Sequence, residues 1–241
     1  MDWGRAKNVL IYAFLLLNLL LGYQLWMDLR DQASANLDFT SLSGSAQQLM
    51  EENRIRVLSP IPAATPELPG LSYRYSQPDE PVRLKEPVDS QLMFFSFSDL
   101  TEALEKEIPD IGDYWFDQLE SESGKYVLHP LVDGRWPLFR VNLELLYEDQ
   151  KIVAYRHPHI EFSETDGEVK KVLPASKALT SLIEKFPPET TVKEIELGYY
   201  GELFNSESQV AAPMWRFMLE SGNTYYVDGI SGDVISPKTT E

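Results

Sequence analysis

The stretch "NVLIYAFLLLNLLLGYQLWM", residues 8–27, carries no charge at any position. An α-helix rises about 1.5 Å per residue, so a segment of this length reaches roughly 30 Å, the hydrocarbon thickness of a bilayer. A cleavable export signal has a shorter apolar region, about 7 to 15 residues, with a small-residue cleavage site close behind it. Here the nearest such site, Ala33-Ser34-Ala35, lies beyond Asp28, Arg30 and Asp31. The segment therefore reads as a retained transmembrane helix. Arg5 and Lys7 precede it, and the positive-inside bias makes residues 1–7 a cytoplasmic tip and puts everything after residue 27 outside the cell. Trp3 at one end and Tyr23 and Trp26 at the other suit the water interfaces of such a span.

A polar residue, Asn18, lies at the middle of the span. An amide facing lipid tails is costly, whereas an amide facing another helix can hydrogen-bond, for about 0.6 to 2 kcal/mol. Phe14, Asn18, Gly22 and Leu25 follow helical spacing and form one face, on which Gly22 permits close approach. This face is the candidate partner-contact surface.

Outside the span the chain is acidic and lacks cysteine. The whole sequence has 38 acidic against 21 basic side chains, a net charge of -17. Such an excess argues against nucleic acid or an anionic lipid surface as the main partner, because both require clustered Lys and Arg. Without cysteine there is no disulfide framework, thiol nucleophile or thiolate metal site. A disulfide-free exported domain fits the outer face of a bacterial cytoplasmic membrane.

The remaining chain divides by composition. Residues 28–70 read as a stalk: "SGSAQQLMEENRIRVLSP" as a short polar helix with a possible strand at residues 55–58, then the proline-rich "SPIPAATPELPG" as an extended linker. Residues 71–165 read as a first α+β unit. It holds strand candidates "LSYRYS" and "QLMFFSF", and a helix capped at Asp99 and Glu102 that presents Leu100, Ala103 and Leu104. A strand with strict alternation over residues 137–151 follows, with a return strand through residues 152–162. Residues 166–241 read as a second unit, with a helix over residues 175–186 stopped by Pro187-Pro188 and followed by "KEIELGYYGELF", "MWRFMLE", "TYYVD" and "DVI" as an antiparallel meander. Helix-then-meander thus occurs twice. "LTEALEKEIP" matches "LTSLIEKFPP", and Pro137-Leu138-Phe139-Arg140 matches Pro213-Met214-Trp215-Arg216, so an internal duplication is expected. The fold class is α+β: one transmembrane helix and an extracellular domain of two helix-plus-meander units.

Catalytic signals are sparse. His157, His159 and Glu161 alternate along a strand and would share one face, but Pro158 marks an edge or bulge where polar side chains face water. Glu194 and Glu196 read as a solvated strand face, and "DGISGD" as a hairpin turn without the ligand spacing of a calcium loop. No nucleophile elbow, His-Glu-x-x-His or phosphate-cradling glycine loop appears. No catalytic residue, metal ligand or cofactor is assigned, and no enzymatic activity is expected.

"MDWGRAKNVLIYAFLLLNLLLGYQLW", "QQLMEENRIRV" and the C-terminal "YYVDGISGDVI" resemble, in that order, the YycI family of membrane-anchored regulators in low-GC Gram-positive bacteria. The resemblance implies a non-enzymatic regulator of a two-component system that controls the cell wall. It would work beside a second single-span protein, YycH, on the sensor histidine kinase YycG, also called WalK, through contacts between transmembrane helices. It also implies a mixed α+β ectodomain. The alternative function is an extracellular binding module that regulates or senses a secreted envelope enzyme, since "MWRFMLESGNTYYVDGISGDVI" also resembles the strand-turn pattern of PepSY-type domains.

Overall fold

The computed structural model describes residues 42–163, 168–204 and 206–235, together with Tyr12, Phe14, Leu17, Asn18 and Leu21. The short helix α1 (Gly44–Glu52) starts where Ser43 accepts a hydrogen bond from the Ala46 backbone N–H, and ends where Arg54 turns into positive φ. It buries Ala46 and Met50, one turn apart. β1 (Arg56–Val57) then runs parallel to β12 (Thr191–Tyr200), placing Arg56 beside Thr191. Farther along, Ile61 and Leu68 are buried in the same core as α4 (Ala175–Ile183), and β2 (Glu67–Leu68) pairs with β11 (Lys170–Lys171). Residues 42–70 therefore do not stand off as a spacer. Their apolar side chains, isolated between prolines, pack under the second half of the chain.

Strand alternation builds two sheets, each backed by helices. In the first, β4 (Val82–Asp89), β9 (Lys151–Arg156), β8 (Leu143–Glu148), β6 (Lys125–Val132) and β5 (Tyr114–Glu122) lie in that order. Tyr114, Tyr126, Leu128, Leu143 and Leu145 pack against Leu100 and Leu104 of α3 (Phe97–Leu104). In the second, the order is β1, β12, β13 (Gln209–Leu219), β14 (Thr224–Asp228), β15 (Val234–Ile235). Ile195, Leu197, Trp215, Phe217 and Val227 pack against the buried face of α4, where Leu179, Leu182 and Ile183 lie as their spacing predicts, and Phe186 joins the same core from the turn after the helix, which ends at Ile183 rather than at residue 186.

Several local expectations change. "QLMFFSF" is helical, forming α2 (Leu92–Phe95) and the start of α3. The latter begins after Ser96 rather than at an Asp99 cap, and its Ala103 is exposed. The long alternating strand breaks into β7 (Trp136–Pro137), a turn, and β8. The return strand also breaks at Pro158: β9 stays in the first sheet, while β10 (His159–Phe162) pairs with β3 (Leu71–Ser76), which pairs with β13. Strand pairing thus crosses the division at residue 165. Of the motif pairs behind the repeat, Leu100 and Leu179 are both buried on helices, but residues 137–140 fall in β7 and a turn while residues 213–216 lie inside β13. The second pair is not structurally equivalent.

Among the described residues no helix is long and apolar enough to cross a membrane. Most of residues 8–27 lie outside the described set. The five described positions there are helical and exposed.

Candidate functional site: an ion cluster between the sheets

Alternation gives each sheet a second face, opposite its helices. On β12 this face carries Glu194 and Glu196, and on β13 it carries Arg216, with Glu196 directly opposite Arg216 in the register. On the first sheet it carries Trp115 and Asp117 of β5 and His129 of β6, with Trp115 and His129 as Cα partners. The two faces meet at these residues. Phe139, from the turn after β7, packs with Met214 and Tyr226 beside them. The backbone of this turn is tied to the second sheet, since Phe139 N–H donates to the Tyr199 carbonyl at 3.0 Å. Gly198 makes the approach possible: a Cβ there would collide with the Pro137 carbonyl oxygen and come within 2.6 Å of the Phe139 ring.

Arg216 is the centre of the cluster, with a side chain 0% exposed. Its Nη1 donates to Asp117 Oδ2 and, at 3.4 Å, to Glu120 Oε1, and its Nη2 donates to Glu194 Oε1 at 2.6 Å. The guanidinium carbon lies 4.4 Å from the Phe139 ring centre and 5.3 Å from that of Trp115. Asp117 is held in place locally. Its Oδ1 accepts from the Leu119 and Glu120 backbone N–H groups at 3.0 and 2.9 Å, so the carboxylate itself makes the turn that leads β5 out of register with β6.

His129 is fully buried and stacks on Trp115, with ring centres 6.1 Å apart. Its Nδ1 lies 3.2 Å from the Val141 carbonyl oxygen, and its Nε2 lies 3.2 Å from Asp117 Oδ2 and 3.3 Å from Glu120 Oε2. Both ring nitrogens face groups that only accept, so the imidazolium is the form that satisfies both. Burial works against that charge, but Asp117 and Glu120 outweigh it and hold the His129 pKa above its ordinary value. Burial likewise opposes the charge on Asp117, yet His129 and Arg216 pull its carboxyl well below the usual range. Glu196 behaves oppositely: burial and the adjacent Glu194 push it up to about 7.

Asp117, Glu120 and His129 also form the one group of potential metal ligands close enough together to hold an ion among the described residues. Arg216 Nη1 already bonds both carboxylates, so a guanidinium takes the place of the cation. The arrangement presents no nucleophile. What it does chemically is neutralise buried carboxylates from two sheets with one side chain.

The residues singled out from the sequence are distributed differently. Phe14 and Asn18 are helical and exposed, while Gly22 and Leu25 lie outside the described residues. His157 bonds the Tyr114 hydroxyl at 3.2 Å and Asp110 at 3.1 Å. His159 and Glu161 pair at 3.4 Å in the open, so the three do not converge. "DGISGD" is a turn closed by Asp228, whose Oδ1 accepts from Ile230 and Ser231 N–H. Glu194 and Glu196 are partly buried on the face of the ion cluster rather than lying on a fully solvated strand face. Asp117, His129 and Arg216 were not singled out. Their only trace in the sequence is a charged or polar residue within an apolar strand, as in "MWRFML".

Fold and site together define an α+β domain in which two helix-backed, mainly antiparallel sheets are joined by a buried ionic clamp. A family model described as YycI protein matches residues 75–230, more than half of the chain, and the chain belongs to the YycI family. That family is regulatory and is tied to the YycG/WalK kinase system. No curated protein matches the chain. Among solved structures it is similar to an uncharacterized protein from Eubacterium rectale ATCC 33656, at 17% identity and a TM-score of 0.39, covering 47% of this chain and 42% of that one.

Proposed function

We propose that this protein is a single-span membrane regulator that modulates a YycG/WalK-type sensor kinase through its transmembrane helix, in a complex with a YycH-like protein. The N-terminus is cytoplasmic, and the two-sheet domain is extracellular and arose by duplication of a helix-plus-meander unit. Family membership carries the reading. It is supported by the uncharged length of residues 8–27 and by Tyr12, Phe14, Leu17 and Leu21, each more than half exposed, which are apolar side chains that need lipid or protein cover. A kinase that signals by helix displacement holds two packings separated by a few kcal/mol, and a neighbouring span with different contacts to each biases the balance without any catalysis. Phe14, Asn18, Gly22 and Leu25 form the contact face.

A second reading, an extracellular PepSY-like binding module, is favoured by one observation: "MWRFMLESGNTYYVDGISGDVI" folds as the antiparallel β13–β14–β15 meander, in keeping with the strand-turn pattern for which it resembles such domains. Exchange of residues 8–27 for an unrelated span separates the two. Loss of kinase control with correct export supports helix contact, and retained control transfers the function to the extracellular domain.

A further inference from the structure

The two sheets meet at a charged centre rather than an apolar one, and the charges do not balance. Four carboxylates converge: Asp117 and Glu120 from β5, and Glu194 and Glu196 from β12. Two cations oppose them, Arg216 from β13 and His129 from β6. From β14, Tyr226 brings an ionisable hydroxyl that burial keeps neutral. Within the cluster, Arg216 on β13 reaches across to Asp117 of the first sheet through Nη1 and holds Glu194 of the neighbouring strand β12 through Nη2.

We propose that this cluster is a proton-operated latch between the two sheets. With Glu196 and His129 both protonated, a single carboxylate is in excess and Arg216 clamps the sheets together. Once the Glu196 proton is lost, two negative charges stand uncompensated around Arg216, and the faces of β5–β6 and β12–β13 repel. The position of Glu196 directly opposite Arg216, with Glu194 on the same face, is what makes its proton count. Burial and Glu194 place that proton's release near pH 7, so the latch works within the range an extracellular surface experiences. The latch also has an output. β1 is paired to β12, so a shift of the second sheet moves the point at which residues 42–57 emerge. The latch stands on the geometry of the cluster together with the raised Glu196 pKa; its use as a signal rests on the regulatory reading above.

The absence of native cysteine allows a direct test on the full chain in lipid nanodiscs. Spin labels at Glu122→Cys and Lys193→Cys, exposed positions on β5 and β12, report the distance between the sheets by pulsed electron resonance. The expected result is a narrow distribution at pH 5.5 that broadens or lengthens at pH 8.5, with a midpoint near pH 7. Glu196→Gln, which fixes the neutral form, keeps the distribution narrow to higher pH. A distribution unchanged across this range in the otherwise unsubstituted chain overturns the latch, whatever the stability of the variants. An unchanged midpoint in folded Glu196→Gln overturns the assignment to Glu196. If the distances respond but kinase output in cells carrying Glu196→Gln is no less pH-dependent than in the parent, the latch holds and its regulatory use fails.

Discussion

Replacement of Arg216 by Met is the sharpest test of how the domain is held together. Met has similar reach and fills much of the same volume, so the change removes charge and hydrogen bonds with little cavity. What remains is Asp117, 0% exposed, facing Glu120 and Glu194 without the guanidinium. Breaking a buried pair by removing one partner costs about 3–5 kcal/mol. Loss of the guanidinium stacked between Phe139 and Trp115 adds about 0.5–2 kcal/mol. Two relaxations act against these terms. The Glu194 side chain is 24% exposed and can turn to water, and His129 still pairs with Asp117 and Glu120. The expected loss is therefore about 3–4 kcal/mol, a large share of the roughly 5–15 kcal/mol that holds a domain folded. Urea unfolding followed by tryptophan fluorescence reads it as a lowered midpoint at unchanged slope. Asp117→Asn in the same background removes the stranded charge and keeps an oxygen for the Leu119 and Glu120 N–H groups, so the double variant is expected to be more stable than Arg216→Met alone. A loss below about 1 kcal/mol for the single variant, or strict additivity in the double, would refute the clamp.

Three further outcomes are expected. Gly198→Ala puts a Cβ against the Pro137 carbonyl and the Phe139 ring and lowers stability by about 1–3 kcal/mol, whereas Gly44→Ala, with open space around it, does not; thermal unfolding distinguishes them. Stability falls as pH rises from about 5 to 8.5: Glu196 is raised from 4.5 to about 7, so the folded chain binds its proton more tightly and loses up to about 3 kcal/mol through that window. The raised His129 also favours folding below its unfolded pKa, and that contribution is lost as pH climbs through its folded one. The lowered Asp117 acts at the other end, its contribution lost as pH falls below its ordinary value, and a flat stability curve between pH 5 and 8.5 would contradict the reading. Asn18→Leu changes kinase output at unchanged protein level, measured with a reporter of the two-component system; unaltered output removes Asn18 as a control point.

How much of this was legible beforehand depends on the range of the forces involved. Helix α4 and its buried stripe of Leu179, Leu182 and Ile183 follow from spacing of three and four residues, and α1 falls inside the polar stretch beginning at Ser43 that reads as a short helix. Both are decided within a turn or two of chain. The breaks at residues 138–142 and at Pro158 were harder. The alternation there is genuine, but the chain has to leave one sheet and reach the other, and that requirement is not local.

The uncharged length of residues 8–27, the acidic surface, the α+β class and the family were determined by the sequence alone, because each is a property of composition or of short-range order. Tertiary structure decided that residues 42–70 pack their buried side chains into the core rather than stand as a stalk, and that Glu194 and Glu196 lie partly buried at an ion cluster. Alternation assigns Arg216 to the face opposite Trp215 and Phe217, which in an isolated sheet would be the wet one. Only the first sheet, bringing Asp117 from 99 residues away, turns that face into an interior and its charges into a clamp.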